Sequence, residues 1–327
     1  MSAPKRRPAA GNRSPLVIGL VNNMPGGALQ STERQFEELL GDAAGRAVSL
    51  RYLSLPEIER GEHARAHMSG RYAHIDRLPA AGLDGLIVTG AEPQTAKLED
   101  EAYWRSLTRV IDWSQAAEIP TVWSCLAAHA AVLHLDGVQR HLMPAKLTGV
   151  FACAPTERHA LLAGTPRPVT PHSRLNGLPE SDLVSAGYQV LTRSPETGVD
   201  LFTKTAPALA LFFQGHPEYA AETLLREYLR DVGRFLRGER RDHPAAPSGY
   251  FDDRTLMTLG ELAARGEAGR DPQQMADYVR ATEGASPAAV WRPWAVGVYR
   301  AWLRHIGAGK AGRPATLDAG ILASRAP

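Results

Sequence analysis

Four short apolar runs, each closing on a glycine or a small polar residue, constrain this chain more than any other feature. Residues 14–21 run into Asn22, Asn23, Met24, Pro25, Gly26 and Gly27; residues 82–91 close on Gly90 and Ala91; residues 119–124 stop at Cys125; residues 209–213 stop at Gln214 and Gly215. Each is too short for a stable helix and rich in Val, Ile, Leu or Phe, as strands buried on both faces of a parallel sheet are. Residues 48–53 add another such strand. Helical spacing fills the gaps: residues 30–40 put Phe36, Leu39 and Leu40 on one face, with Ser31 or Thr32 as the cap. Residues 100–117 do the same with Trp104, Leu107, Val110 and Ile111, and residues 126–135 are strongly helical in composition. Strands alternating with helices predict an α/β fold with a doubly wound, mostly parallel sheet. Right-handed crossovers then set the C-terminal strand ends on one edge, so the turns at Gly26, Gly90, Cys125 and Gly215 face one cleft.

Beyond residue 144 the pattern changes. Residues 146–152, 188–191 and 199–203 read as short strands with antiparallel signals, separated by Pro, Gly and Ser. Residues 220–236 predict a long helix with Leu224, Leu225, Tyr228, Leu229 and Val232 inward. A charged, Pro-rich loop or linker spans 238–248, a polar helix 256–264, and an amphipathic helix 291–306 carries Trp294, Val298, Tyr299, Trp302 and Leu303. Those aromatics read as packing rather than as a cofactor box. The organisation expected is a disordered basic arm (1–14), one α/β domain (15–236), a helical extension on or beside it (237–307) and a disordered tail (308–327).

Among 327 residues, 44% are hydrophobic and 22% charged, which suits a chain with a full core. The formal net charge is +2, and Lys5, Arg6, Arg7 and Arg13 supply more than that by themselves, so the rest sums to about −2. With no basic stripe, nucleic acid is not an expected partner. No apolar run has the length to cross a bilayer, and the basic arm has no apolar segment behind it to make a secretory signal. Two cysteines, Cys125 and Cys153, suit a reducing, cytoplasmic compartment. His63, His67 and His74 lack the thiol or carboxylate pattern that would complete a metal set, so no metal is expected.

The chemistry converges on two strand ends. Cys125 sits at a strand-to-helix junction, where a helix dipole and free backbone amides would favour a thiolate and hold an oxyanion. His216 and Glu218 follow the Gly215 turn at i and i+2, which lets the carboxylate touch the imidazole. A thiol, a base and a carboxylate that orients the base make a nucleophilic set. From these residues alone two readings of Cys125 stand, a catalytic thiol and a small buried hydrophobe.

The stretch Gly215-His216-Pro217-Glu218-Tyr219, followed by Thr223, Leu224 and the run from Glu227 through Arg230 and Asp231 to Val232, resembles the homoserine O-succinyltransferase or O-acetyltransferase family. The likeness continues through residues 84–91, Ala102-Tyr103-Trp104, residues 146–150, Pro171-His172-Ser173-Arg174, Asn22-Asn23-Met24-Pro25 and Glu33 to Phe36. The resemblance implies a class I glutamine amidotransferase-like fold and a ping-pong acyl transfer in methionine biosynthesis. It assigns Cys125 as nucleophile, His216 as general base and Glu218 as its orienter. It further implies Arg230 on the acceptor carboxylate, Glu227 on its ammonium, and Lys146, Ser173 and Tyr219 lining the site. Acyl-CoA is the implied cosubstrate, with no resident cofactor, and homoserine or a similar amino acid is the acceptor. Gln94 occupies the position linked to the choice between succinyl and acetyl. His129 stands where the family has Gln, and Gly26 and Gly27 stand where it has Lys, so glycine amides would substitute there. A glutaminase-type amidotransferase shares the Cys, His and Glu set but flanks its Cys with glycines, whereas Ser124 and Leu126 flank Cys125. A serine-directed acyltransferase and a non-catalytic relative are the remaining alternatives. The apolar C-terminal helix offers a surface for a homodimer.

Overall fold

The computed structural model describes residues 14–285 and 288–312. In chain order the elements are β1 (Leu16–Val21), α1 (Gly26–Ala43), β2 (Val48–Ser54), α2 (Glu62–Met68), β3 (Tyr72–His74), β4 (Gly85–Val88), α3 (Trp104–Ala116), β5 (Thr121–Ser124) and α4 (Leu126–Asp136). Then come β6 (His141–Ala152), β7 (Ala154–Pro155), β8 (Val169–Gly177), α5 (Glu180–Ser185), β9 (Gln189–Ser194), β10 (Gly198–Lys204) and β11 (Ala210–Phe213). Helices α6 (Thr223–Leu236), α7 (Asp253–Ala268), α8 (Met275–Ala281) and α9 (Arg292–Gly312) complete it.

One nine-stranded sheet runs β3-β2-β1-β4-β5-β11-β10-β9-β7. Pairings from β3 to β11 are parallel, and those from β11 to β7 antiparallel. The fold is the expected α/β class. Burial on both faces explains the unbroken apolar runs: Leu16, Ile18, Leu20, Ile87, Val122, Leu211 and Phe213 face α1 and α9. Val21, Leu86, Val88, Trp123 and Phe212 face α3 and α4 on the other side. Strands β1, β4, β5 and β11 are immediate neighbours, so their C-terminal ends share an edge as predicted. Asn23 fastens two of those ends, its amide donating to Thr89 Oγ1 at 2.8 Å and its side chain to the Thr89 carbonyl at 2.9 Å.

Several local expectations change. Helix α1 begins at Gly26 with Pro25 as its N-cap, where a fixed φ and a missing N–H cost nothing. Ser31 lies inside it and bonds the Ala28 carbonyl instead of capping, so the predicted glycine turn is the first turn of this helix. β8 escaped the pattern because His172 and Arg174 occupy its buried positions, and it pairs antiparallel with β6 as a separate two-stranded sheet. Residues 238–248 are not a free linker: Ser248 exchanges backbone hydrogen bonds with Thr148 and Val150 of β6 at 3.0 and 2.8 Å. Helix α9 runs to Gly312, five residues into the segment expected as a tail, while the arm up to residue 13 and residues 313–327 lie outside the described residues. The aromatic face expected as a dimer surface is core: Trp294, Tyr299 and Trp302 are fully buried against the sheet and α1. An apolar stripe looks the same in sequence whether it meets a sheet or a second subunit.

Candidate active site

Cys125 links β5 to α4 with φ 51° and ψ −114°, a conformation that only glycine adopts without strain. Its amide donates to the Phe213 carbonyl of β11 at 2.8 Å, and its carbonyl accepts the Ala128 amide at 2.9 Å as the helix begins. A strained strand-to-helix elbow of this kind lifts a nucleophile above the sheet edge, with the first helix amides directly behind it. Gly90, at the end of β4, lies against those amides: a Cβ there would sit 2.6 Å from Leu126 Cβ and 3.0 Å from Leu126 N.

The second strand end brings His216 and Glu218 together. His216 Nδ1 and Glu218 Oε1 are 2.9 Å apart, and Ser124, next to Cys125, donates from Oγ to the same oxygen at 3.2 Å. The turn is clamped, since the His216 amide donates to the Pro171 carbonyl at 2.7 Å. At Gly215 any side chain would strike Thr170 Cγ2 at 2.4 Å and the Pro171 carbonyl at 2.8 Å. With Nδ1 committed to Glu218, Nε2 is left to meet the thiol. Burial pulls the His216 pKa down, but the charges of Cys125 and then Glu218, with their hydrogen bonds, carry it well above the ordinary imidazole range. Tyr219 stacks on the His216 ring at 4.3 Å between centroids, and Trp291, just before α9, donates from Nε1 to the Tyr219 carbonyl at 2.9 Å.

Helix α6 and β6 supply the polar wall. Glu227 accepts from Tyr219 Oη at 2.7 Å, whereas Arg230 bonds Asp231 through Nε and Nη2 at 3.1 Å. The plain i, i+3 ion pair between Glu227 and Arg230 therefore does not form, and Arg230 stays about half exposed. Asp231 is the residue that sequence reasoning left without a role. It is buried, with Lys146 Nζ at 2.9 Å and Arg240 at 3.6 Å as further partners. Burial raises its pKa, Lys146 and Arg230 lower it, and the net direction is down. It thus anchors two of the predicted site cations. Ser173 lies on β8, opposite Thr148 and two residues beyond the carbonyl that holds His216. Gln94 sits exposed in a loop whose shape Glu101 fixes: Oε1 accepts the Gln94 amide, the Thr95 amide and Thr95 Oγ1 at 2.7, 2.7 and 2.8 Å. Glu92 in that loop reaches Arg234 of α6 at 3.4 Å.

His129 does not line the site. It is buried in α4 and donates from Nε2 to Gln214 Oε1 at 3.1 Å, and burial first, then Arg174, lowers its pKa to about 3. His67 pairs with Glu33 at 2.9 Å and His74 with Asp76 at 3.1 Å, each engaged elsewhere than in a shared histidine cluster. Beneath the His216 turn, His172 Nε2 faces Asp200 Oδ1 at 3.2 Å, with Cys153 close by. Thr170 and Thr192 donate to the other Asp200 oxygen at 3.0 and 2.9 Å. Two cavities, of about 940 and 470 Å³, lie away from Cys125. The first is bounded by residues 54–61 and 65–74, the second by Asp84, Pro120 and Leu209 at the opposite, N-terminal edge of the sheet.

The family described as homoserine O-succinyltransferase matches residues 1–311. A protein named homoserine O-succinyltransferase from Methylorubrum extorquens is 48% identical over 289 residues, covering 88% of this chain and 86% of that one. One of the same name from Bradyrhizobium japonicum is 46% identical, covering 85% and 88%, and one from Rhodopseudomonas palustris is 49% identical, covering 79% and 78%. Among solved structures, that of SMU.1228c superposes with a TM-score of 0.50 at 14% identity over 89% of this chain and 99% of that one, a likeness of fold alone. A glutamine amidotransferase from Methylobacillus flagellatus superposes at 0.48 and 15% identity over 89% and 94%.

Proposed function

Because the chain belongs to the homoserine O-succinyltransferase family and is an acyltransferase, we propose that it moves a succinyl group from succinyl-CoA to the hydroxyl of homoserine through a thioester on Cys125. The observation that carries this reading is the strained Cys125 elbow opposite the hydrogen-bonded His216–Glu218 pair. In the first half-reaction the Cys125 thiolate attacks the donor carbonyl. The C–S bond to CoA breaks, and the departing thiolate takes the proton that His216 holds. The neutral imidazole then accepts the homoserine hydroxyl proton, the oxygen attacks the Cys125 thioester, and the Cys125 thiolate leaves as the ester forms. Glu218 keeps the imidazole in one tautomer and supports its charged form throughout. In this scheme the Leu126 amide, first of α4, would hold the carbonyl oxygen as it becomes an oxyanion.

Arg230 and Glu227 bind the two charged ends of the acceptor in this scheme, with Lys146 held beside them by Asp231. Arg230 can offer its outer N–H groups to a carboxylate while Asp231 holds the inner ones. Replacing Arg230 by Lys loses that fork, so KM for homoserine rises about 10- to 100-fold, on the scale of one or two hydrogen bonds to a charged group. Acylation of the free enzyme by the donor keeps its rate, and a steady-state titration beside a single-turnover measurement separates the two.

The whole reading is tested by mixing the protein with succinyl-CoA and weighing it intact. One succinyl group should appear on the peptide containing Cys125 and disappear when homoserine is added. No adduct, together with rapid hydrolysis of glutamine, would replace the transferase by an amidotransferase. Discharge by serine in place of homoserine would change the acceptor and leave the mechanism standing.

A further inference from the structure

A charged donor lies unused at the loop that follows Gly90, the glycine packed against Leu126 next to Cys125. Arg140 leads into β6 and reaches back to the loop that carries Gln94, where Nη2 donates to the Ala96 carbonyl at 3.2 Å. Its other terminal nitrogen, Nη1, is buried and has no hydrogen-bond partner among the described residues. Leaving a guanidinium N–H buried without an acceptor is costly, and interiors rarely tolerate it unless something else supplies the acceptor. Tyr103, which closes the same loop at the start of α3, is 5% exposed, and its hydroxyl is likewise buried without a partner. The acid nearest in sequence does not fill the gap, because Glu101 spends Oε1 on Gln94 and Thr95. Arg140 faces Tyr103, Glu101, Glu99 and Cys125 electrostatically, and burial lowers its pKa. Two hydrogen-bond donors, one of them cationic, thus stand against the loop that Gly90 fastens to Leu126 beside Cys125, and Arg140 Nη1 and Tyr103 Oη both lack an acceptor among the described residues.

We propose that Arg140 and Tyr103 bind the free carboxylate of a dicarboxylic acyl group carried on Cys125, and so select a succinyl over an acetyl donor. The proposal rests on the thioester reading above. A carboxylate offers two oxygens to a guanidinium and a phenol hydroxyl together. A succinyl group ends in such a carboxylate two methylenes beyond its thioester carbonyl, whereas an acetyl group has nothing to fill the gap. The acetyl-enzyme would leave both buried donors unpaired, and selectivity of that origin is stronger than size discrimination by an apolar pocket. Gln94, on the same loop, is neutral and adds no acid to compete for Arg140.

The test measures Cys125 acylation by intact mass with succinyl-CoA and with acetyl-CoA, in the parent, Arg140→Gln, Arg140→Lys and Tyr103→Phe. The readout is the ratio of the two acylation rates, so a general loss of folding or reactivity cancels. Arg140→Gln should lower the succinyl-to-acetyl ratio about 10- to 100-fold, Tyr103→Phe about 3- to 10-fold, and Lys should restore part of the Arg140 effect. A ratio unchanged in Arg140→Gln and Tyr103→Phe, with the parent acylated normally, overturns the assignment and leaves the thioester mechanism intact. A parent that accepts neither donor removes the thioester reading and this one with it.

Discussion

Changing Cys125 to Gly gives a protein that is inactive and more stable than its parent. Activity falls by about ten-thousandfold or more, the scale on which removal of a nucleophile acts when base and orienter are left without a partner. Stability moves the other way because φ 51° and ψ −114° lie outside the left-handed helical region that Asn or Asp tolerate and in territory open only to glycine. Relief of that strain is worth about 1–3 kcal/mol. The greater freedom of a glycine in the unfolded chain takes back roughly 0.5–1 kcal/mol. A net gain of about 1 kcal/mol follows from these two magnitudes. Cys125→Ala is the control: it is as inactive as the Gly variant but keeps a Cβ, and so keeps the strain. Urea unfolding of the three proteins decides the matter, and a Gly variant no more stable than the Ala variant shows that the elbow stores nothing.

The position of Cys125 was legible in the sequence, whereas much of what surrounds it was not. Cys125, His216 and Glu218 stand directly after short apolar runs, and a run buried on both faces marks a parallel strand whose end must lie on the active edge. Neighbours in sequence, such as His216 and Glu218, could be paired by inspection. Asp231 could not, because it lies on helix α6 while its partner Lys146 lies 85 residues away on β6, and only the tertiary fold brings them together. Arg140 is a further case: its meaning lies in an N–H without an acceptor, which no spacing rule records. Helices α2 and α5 and strand β3 were missed because their burial is slight. Residues 62–68 bury only Ala64, so they carry no apolar period to read. β8 was missed for the opposite reason, since its interior positions hold charged and titratable groups paired with Asp200 and the Thr197 carbonyl.

Gly90→Ala should lower the acylation rate about 100- to 1,000-fold while leaving the Cys125, His216 and Glu218 side chains in place, the cost of losing one oxyanion donor. Gly90 is half-buried, and its φ is not in the left-handed region, so backbone freedom is not the reason for glycine here. Space is the reason. An added Cβ meets Leu126 Cβ at 2.6 Å, Leu126 N at 3.0 Å and Leu126 Cα at 3.2 Å, and these are atoms at the root of a helix, which cannot rotate away as a side-chain tip can. The first turn of α4 must therefore shift, and with it the Leu126 amide that would hold the acyl oxyanion in each tetrahedral intermediate. Overpacking of this kind also destabilises by about 1–3 kcal/mol, so stability alone does not separate the site effect from a general one. Alkylation of Cys125 by iodoacetamide does, because it needs the thiolate and His216 but builds no oxyanion. That reaction should keep its parental rate in Gly90→Ala while acylation collapses. Gly41→Ala, in α1 with nothing within 4 Å of the added carbon, should leave both reactions alone and stabilise the helix by about 1 kcal/mol. Equal losses of alkylation and acylation in Gly90→Ala would mean that the substitution disturbs the nucleophile itself, and the Leu126 amide would lose its assigned role.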